Sequence, residues 1–316
     1  MRRLFLLLAF ASCASAQDYP ARAIKIVVAF PAGGGSDLAA RVVGAKLAER
    51  VGQPVVLENR VGANGGVGAE AVARAAPDGY TLVMGSNANI TTNPHLMTLA
   101  YDPMKDLAPV AMLTVNPLLL FVNPAVLPVN NFQEFLAYAK AQGPKLHYAS
   151  AGNGSPAHLC GELLKMVSGL QMVHVPYKGG PQGMHDVVGG RVGIMFAAAP
   201  TVLPQVRAGK LRGIAMTGAH RSAYAPEIPT IAESGFPDFD VVIWNALFAP
   251  GATPAALIAR LHGEIGRVLA DPQTRQLLLK QGAEPTPMEP AALRQLLHSE
   301  YARWGKVIRE ARIKVD

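Results

Sequence analysis

Cysteine is almost absent from this 316-residue chain, which carries only Cys13 and Cys160. Cys13 falls inside an apolar leader, so removal of the leader isolates Cys160 and no intramolecular disulfide can form. The eight histidines are scattered without metal-ligand spacing, so no metal site is expected. Charged residues make up 16% of the chain and aromatics 6%. Without a basic run, and with few rings to stack on bases, nucleic acid is not an expected partner. No hydrophobic run is long enough to span a bilayer, which takes about 20 residues. Enzyme signatures are missing as well: G-x-S-x-G, G-x-x-x-x-G-K-[ST] and H-E-x-x-H do not occur. Gly66-Val67-Gly68 followed by Ala71 imitates a dinucleotide fingerprint, but loop 60–65 separates it from the preceding strand. No cofactor and no catalytic residue is expected. The rival reading is a secreted hydrolase or lyase using Cys160, near His158, or Ser155; it lacks a base and an orienting group at any recognisable spacing.

What is present begins with MRRLFLLLAFASCASA. Two arginines, the apolar stretch Leu4 to Phe10 and small residues at Ala14 and Ala16 form a bacterial-type signal peptide, residues 1–16, cleaved before Gln17. The expected location is the periplasm. Lipid attachment at Cys13 is disfavoured, because Phe10 stands where such processing prefers leucine. Losing Arg2 and Arg3 takes the net charge from +7 to +5, a weakly positive field that favours acidic small molecules.

The remaining length suits two cores of ordinary domain size. Short apolar runs alternate with helical patterns, which predicts an α/β fold with parallel strands. Strands are expected over 24–30, 54–58, 81–85, 110–114, 118–122, 146–149, 172–175, 193–197, 211–216 and 241–249. Helices are expected over 36–51, 65–75, 132–142, 155–168, 181–188, 201–208, 254–270, 272–281 and 290–312. Chain crossings near 114–122 and 239–248 would divide it into lobe I, 17–118 with 240–288, and lobe II, 119–239 with 289–316.

Two strand-to-helix loops stand out. Phe30 to Arg41 reads FPAGGGSDLAAR, and the stretch after strand 146–149 reads SAGNGSPAHLCGELL. Glycine allows close backbone approach, and a helix start offers N–H groups and a positive dipole end to an anion. Ser36 or Asp37 could cap the first helix, and Pro156 suits the first turn of the second. The same glycines also serve a plain tight turn, so each loop alone leaves both uses open. MGSNANITTN, residues 84–93, offers either turn formers or polar contacts. VPYKGGPQG, residues 175–183, places Tyr177 and Lys178 before another glycine turn, where Lys178 either meets a carboxylate or remains solvated.

These segments and their order resemble the Bug (TctC-like) family, the periplasmic solute receptors of tripartite tricarboxylate transporters. The stretches that carry the likeness are YPARAIKIVVAFPAGGGSDLAARVV, VVLENRVGANGGVGAEAVARAAPDGYTLVMGS, LHYASAGNGSPAHLCGELL, VPYKGGPQGMHDVVGGRV and GKLRGIAMTGAHRSAYAPEIPTIAESGFPDF. The resemblance implies two Rossmann-like lobes with a ligand cleft between them, of the type II periplasmic binding protein kind. It implies a small organic acid, held mainly by backbone N–H groups and ordered waters and delivered to a large and a small membrane subunit by a monomeric receptor. On that pattern Phe30, Ala32, Gly33, Gly34 and Asp37 line one wall, with Ser86 and Asn87 nearby. Ser150, Gly152, Gly154, Ser155 and His158 face them, and Tyr177, Lys178, Ala197 and Ala198 close the pocket. A ligand sensor for a signalling partner would share this pocket. Two departures stand out: Trp244-Asn245-Ala246 where the family often has Trp-x-Gly, and Ala197-Ala198-Ala199 where many members carry a polar side chain. The second points away from an amino acid and towards a plain carboxylate with an apolar body.

Overall fold

A computed structural model describes residues 19–315; the expected leader and Cys13 lie outside them. The first part of the chain forms β1 (Ile24–Val28), α1 (Gly35–Val51), β2 (Val55–Asn59), α2 (Gly66–Ala73) and β3 (Thr81–Ser86). A π-helical turn over Ala88–Thr92 leads into α3 (Asn93–Leu96), and β4 (Leu107–Val122) follows. Next come α4 (Phe132–Gln142), β5 (His147–Ser150), α5 (Pro156–Ser168), β6 (Val173–Pro176), α6 (Gly180–Val188), β7 (Ile194–Ala198), α7 (Ala199–Arg207) and β8 (Arg212–Met216). The chain closes with β9 (Val242–Pro250), α8 (Ala255–Ala270), α9 (Pro272–Lys280), β10 (Glu284–Pro285) and α10 (Pro290–Glu310).

This is the expected α/β architecture, built on one curled sheet in the order β2-β1-β3-β9-β4-β7-β5-β6, with β8 and β10 also paired to β4. β1 to β3 run parallel to one another, as do β5 to β7, while β9 is antiparallel to both β3 and β4. The inner strands β1, β3 and β7 carry the largely buried apolar runs that helix-covered parallel sheets require, whereas β2 and β6 are partly exposed. α1 buries Ala39, Ala40, Val43 and Leu47 and stops at Gly52, which takes the left-handed conformation and returns its N–H to Ala48 O. The expected side-chain cap at Ser36 or Asp37 does not form: Gly34 is the cap residue and no side chain bonds there.

The largest departure from the sequence reading is β4. Two strands are expected, 110–114 and 118–122; one strand runs from Leu107 to Val122. Pro117 pairs with Val242 at the end of the β9 ladder, and the next residue, Leu118, pairs with Ala198 of β7. The missing proline N–H thus falls where the strand changes partners, a position that tolerates it. Pro109 sits at a register shift against β9. β4 therefore threads both halves of the sheet.

α10 also belongs to both halves. Its Leu293 and Leu297 pack with Val83, Trp244 and Phe248, whereas Trp304, Val307 and Ile308 pack with Leu120, Phe135 and Tyr148.

Candidate functional site

The carboxyl ends of the parallel strands in both halves meet beside the β4–β9 crossing. In an open α/β sheet this is where ligands bind. On one side, Ser36 at the start of α1 donates to Asn245 Oδ1 at 2.6 Å, and Asn245 Nδ2 donates to Thr114 Oγ1 at 3.2 Å. On the other, Ala198, the residue before α7, pairs with Leu118. Thr114 and Leu118 lie four steps apart on the same extended strand, roughly 13 Å. The starts of α1 and α7 therefore approach neighbouring stretches of β4.

The first glycine loop is held from behind by Asp37. Its buried carboxylate accepts from Gly33 N–H at 2.9 Å, Arg41 Nε at 2.9 Å and Nη2 at 3.0 Å, and Asn59 Nδ2 at 2.9 Å. Burial on its own raises the carboxyl pKa; the bonds from Arg41, Gly33 and Asn59, together with the Arg41 charge, outweigh it and hold the group below the ordinary value. Asp37 is thus engaged with the protein and shapes the loop. Asn59 Nδ2 also holds Phe30 O at 3.0 Å. Ala32 and Gly33 are exposed at the tip, and Gly33 has φ 78°, which glycine adopts readily. Because no side chain caps α1, its first-turn N–H groups are left for solvent or a ligand.

Ser86 ends β3 and Asn87 follows it; both are buried. Ser86 N–H donates to Asn89 Oδ1 at 2.8 Å, and Asn87 Nδ2 reaches Val242 O at 3.2 Å, tying the π-helical turn to the start of β9. Asn87 Oδ1 is buried with no donor among the described residues, an acceptor that only a group from outside can satisfy.

The second loop rests on a stacked histidine pair. Gly154 N–H donates to His158 Nδ1 at 3.1 Å, and the His158 ring lies on His174, centroids 3.6 Å apart. His174 Nε2 meets Ser150 Oγ at 2.6 Å, and Gly152 N–H donates to Ser150 Oγ at 3.0 Å. Burial pushes both histidines down to about 4, with the Lys165 charge adding to His158 and the His158 ring adding to His174. Both rings are neutral at pH 7. Ser155 caps α5, its Oγ accepting from His158 N–H at 3.4 Å.

Beyond this loop, a cavity of about 210 Å³ opens between the starts of α5, α6 and α7. Ala197 and Ala198 form part of its wall, with Leu118, Met195, Phe196 and Ile243. Neither α6 nor α7 has a side-chain cap. Tyr177 turns elsewhere, its hydroxyl donating to Asp186 Oδ2 at 2.8 Å, and Lys178 is exposed outside the cavity wall. A second cavity of about 420 Å³ joins the two halves, with Ala63, Asn64 and Ala88 on one side and Ala151, Asn153 and Ser155 on the other.

The structure adds residues the sequence reading did not single out. Asn245 is a polar residue inside the apolar run of β9, a signal that could have marked it. His174 is likewise a lone polar ring in β6. Met184 and Thr201 line the apolar cavity, and nothing in their local pattern distinguishes them from ordinary helix residues. Ala246, the departure noted in the sequence, is fully buried opposite Gly85, so the extra methyl meets a partner that has none.

The chain is similar along nearly its whole length to known receptors. It is 37% identical over 303 residues to Protein BugT of Bordetella pertussis, covering 95% of this chain and 93% of that one. A protein from R. palustris solved with adipate superposes with a TM-score of 0.77 at 34% identity, covering 94% of this chain and 99% of the other. MatC from Rhodopseudomonas palustris with bound malate gives 0.72 at 35%, covering 92% and 100%. A family model described as "Tripartite tricarboxylate transporter family receptor" matches residues 39–313. With a strand-to-helix loop from each half meeting at the sheet crossing, and with this likeness throughout, the chain belongs to the tripartite tricarboxylate transporter receptor family of periplasmic solute-binding proteins.

Proposed function

We propose that this chain captures a small organic carboxylate between two lobes and hands it to the large and small membrane subunits of a tripartite transporter. The observation that carries this is the pairing of two strand-to-helix glycine loops, 31–37 and 150–156, across the crossing of β4 and β9. Lobe I comprises 17–118 and 240–288 and lobe II 119–239 and 289–316, moving about β4 and β9, with α10 of lobe II also packed on lobe I. The carboxylate sits between the two loops, facing Ala32 and the uncapped first turn of α1. The amides of Gly33, Gly152 and Gly154 hold their loops in shape through Asp37, Ser150 and His158; Gly34, Ser155, Ser86 and Asn87 border the same space. Ala197 and Ala198 complete the enclosure with Phe30, while Tyr177, bonded to Asp186, and the exposed Lys178 stand outside it.

Adipate and malate in the two solved relatives support an organic acid here. Amide donors without a cation suit transport, since the grip must be released at the membrane, and closure of the lobes reports occupancy. The same geometry argues for binding rather than turnover. Cys160 is fully buried and burial pushes its thiol well up, away from the reactive thiolate. Ser155 is committed to its own helix, and Ser150 is buried and bonded to a half-buried His174.

Thermal unfolding of the protein, freed of carried-over ligand, against mono-, di- and tricarboxylates and amino acids tests the proposal. A ligand at about one hundred times its Kd adds about 2.7 kcal/mol, or several degrees at roughly 2–4 °C per kcal/mol. Stabilisation by carboxylates is expected. Stabilisation by amino acids with none from plain carboxylates would refute it.

A further inference from the structure

We propose that the cargo is a monocarboxylate with an apolar body of about six carbons, its body filling the cavity between α5, α6 and α7. This rests on the receptor reading above and narrows its ligand class. The cavity wall is formed by Leu118, Met184, Met195, Phe196, Ile243 and the methyl of Ala198, and no charged side chain lines it. Its two hydroxyl side chains are engaged at home. Thr201 Oγ1 donates to Ala198 O at 2.7 Å, and Ser155 Oγ accepts from His158 N–H. A second carboxylate at the far end, among Met184, Met195, Phe196, Ala197 and Ala198, would lose its hydration with no counter-charge. The one side-chain donor left in the wall, the Ser155 hydroxyl, lies at the loop end, so the transfer is unfavourable. An apolar group loses nothing and removes the wall from water. Size agrees as well. A dry apolar cavity of about 150 Å³ is enough to hold benzene, so about 210 Å³ accommodates a ring or a six-carbon chain.

The geometry also orders the ligand. The carboxylate faces the glycine loops beside Asn245 and Ser155, and the body points away from them under α6 and α7. Discrimination therefore comes from the far end of the molecule, where Ala197 and Ala198 offer methyl groups alone.

Titration calorimetry on the ligand-free protein with propionate, butyrate, hexanoate, benzoate and adipate tests this. Affinity should climb roughly fourfold per added methylene up to hexanoate. Hexanoate and benzoate should each bind at least tenfold more tightly than adipate, which matches hexanoate in length and differs by its second carboxylate. Ala198→Leu, which fills the cavity, should weaken hexanoate far more than propionate. Met184→Lys, at a half-exposed position on α6, should bring adipate level with or above hexanoate. Adipate binding as tightly as hexanoate in the unmodified protein overturns the inference while leaving a carboxylate receptor intact. A flat response along the aliphatic series overturns it too. Failure of every acid to bind removes the receptor reading and this inference with it.

Discussion

His158 and His174 stack face to face, ring centroids 3.6 Å apart and planes 9° from parallel, although they come from different elements. Pairing of β5 with β6 sets Tyr148 beside His174, and the turn after β5 returns His158 over it at the start of α5. Each ring also holds the second glycine loop, His158 through Gly154 and His174 through Ser150. The pair is thus a fastening for the loop, and it works only while both rings are neutral.

A pH dependence follows. In the unfolded chain a histidine titrates near 6.5; in the fold, burial pushes both down to about 4. Between those values the unfolded state binds more protons, so stability rises with pH. The contribution is complete above about pH 6.5 and is lost as pH falls towards 4. Glu162 acts on His174 in the opposite direction to Lys165, without reversing the shift. Calorimetric Tm should fall more steeply between pH 6.5 and 4.5 in the unmodified protein than in His174→Asn. Parallel curves would assign the acid sensitivity elsewhere.

Asp37 makes a second prediction, at the other loop. Asp37→Ala leaves Gly33 N–H and Asn59 Nδ2 without their acceptor, which should cost about 2 kcal/mol in urea unfolding. It should also weaken ligand binding at least tenfold, because the first loop loses its brace. Arg41→Ala should do much less, since the guanidinium is half exposed and the remaining donors still hold the carboxylate. Equal losses in the two variants would show that the ion pair, rather than the bonds to the loop, is what matters.

Much of this was legible in the chain itself. The alternation of apolar runs with helical periods marked α1, α4, α5 and α8 to within about a residue, because each buries one clear face or carries clear end signals. The continuity of β4 was hidden by Pro117, whose effect depends on a partner strand the local sequence does not reveal. The helical turn after β3 was hidden by small polar residues, which suit loops equally well; tertiary bonds from Thr91 Oγ1 to Glu300 Oε2 and from Asn89 Nδ2 to Gly65 O hold it. The glycine loops were visible because strand, turn and helix start are contiguous. The His158–His174 stack was not, since two separate elements meet to make it.

Gly161 tests packing within lobe II. A methyl there would lie within 2.6 Å of the Tyr148 ring, at Cζ. That ring cannot swing away easily: it is fully buried and its hydroxyl donates to Glu162 Oε1 at 2.7 Å. By helix propensity alone, Gly161→Ala would stabilise by about 1 kcal/mol. Overpacking of about 1–3 kcal/mol opposes it, so a net loss of about 1 kcal/mol is expected. In a Tyr148→Leu background the same change should become neutral or favourable. Destabilisation of similar size in both backgrounds would locate the strain away from Tyr148.

The bond from Trp244 to Glu300 makes the strongest stability prediction. Glu300 on α10 is buried, and its Oε2 accepts from Trp244 Nε1 at 2.8 Å on β9 and from Thr91 Oγ1 at 3.2 Å on the π-helical turn. Its Oε1 accepts from Arg303 Nη2 at 3.2 Å, while Arg303 Nη1 reaches Asp240 O at 2.7 Å, just ahead of β9. One carboxylate thus joins the last helix to the crossing strand and to the segment behind the first half of the site. Burial raises its pKa even against these donors, which indicates an ion held at some expense of solvation. Glu300→Ala leaves Trp244 Nε1 and Thr91 Oγ1 without this acceptor, while Arg303 keeps partial access to water, so a cost of about 2–3 kcal/mol is expected by denaturant unfolding followed through Trp244 and Trp304. Glu300→Gln preserves an acceptor and the side-chain volume while losing the charge, so it should cost less than half as much. If Glu300→Ala lost under about 1 kcal/mol, the contact would rank with surface pairs, and α10 would owe its place to Leu293, Leu297, Trp304 and Val307 alone.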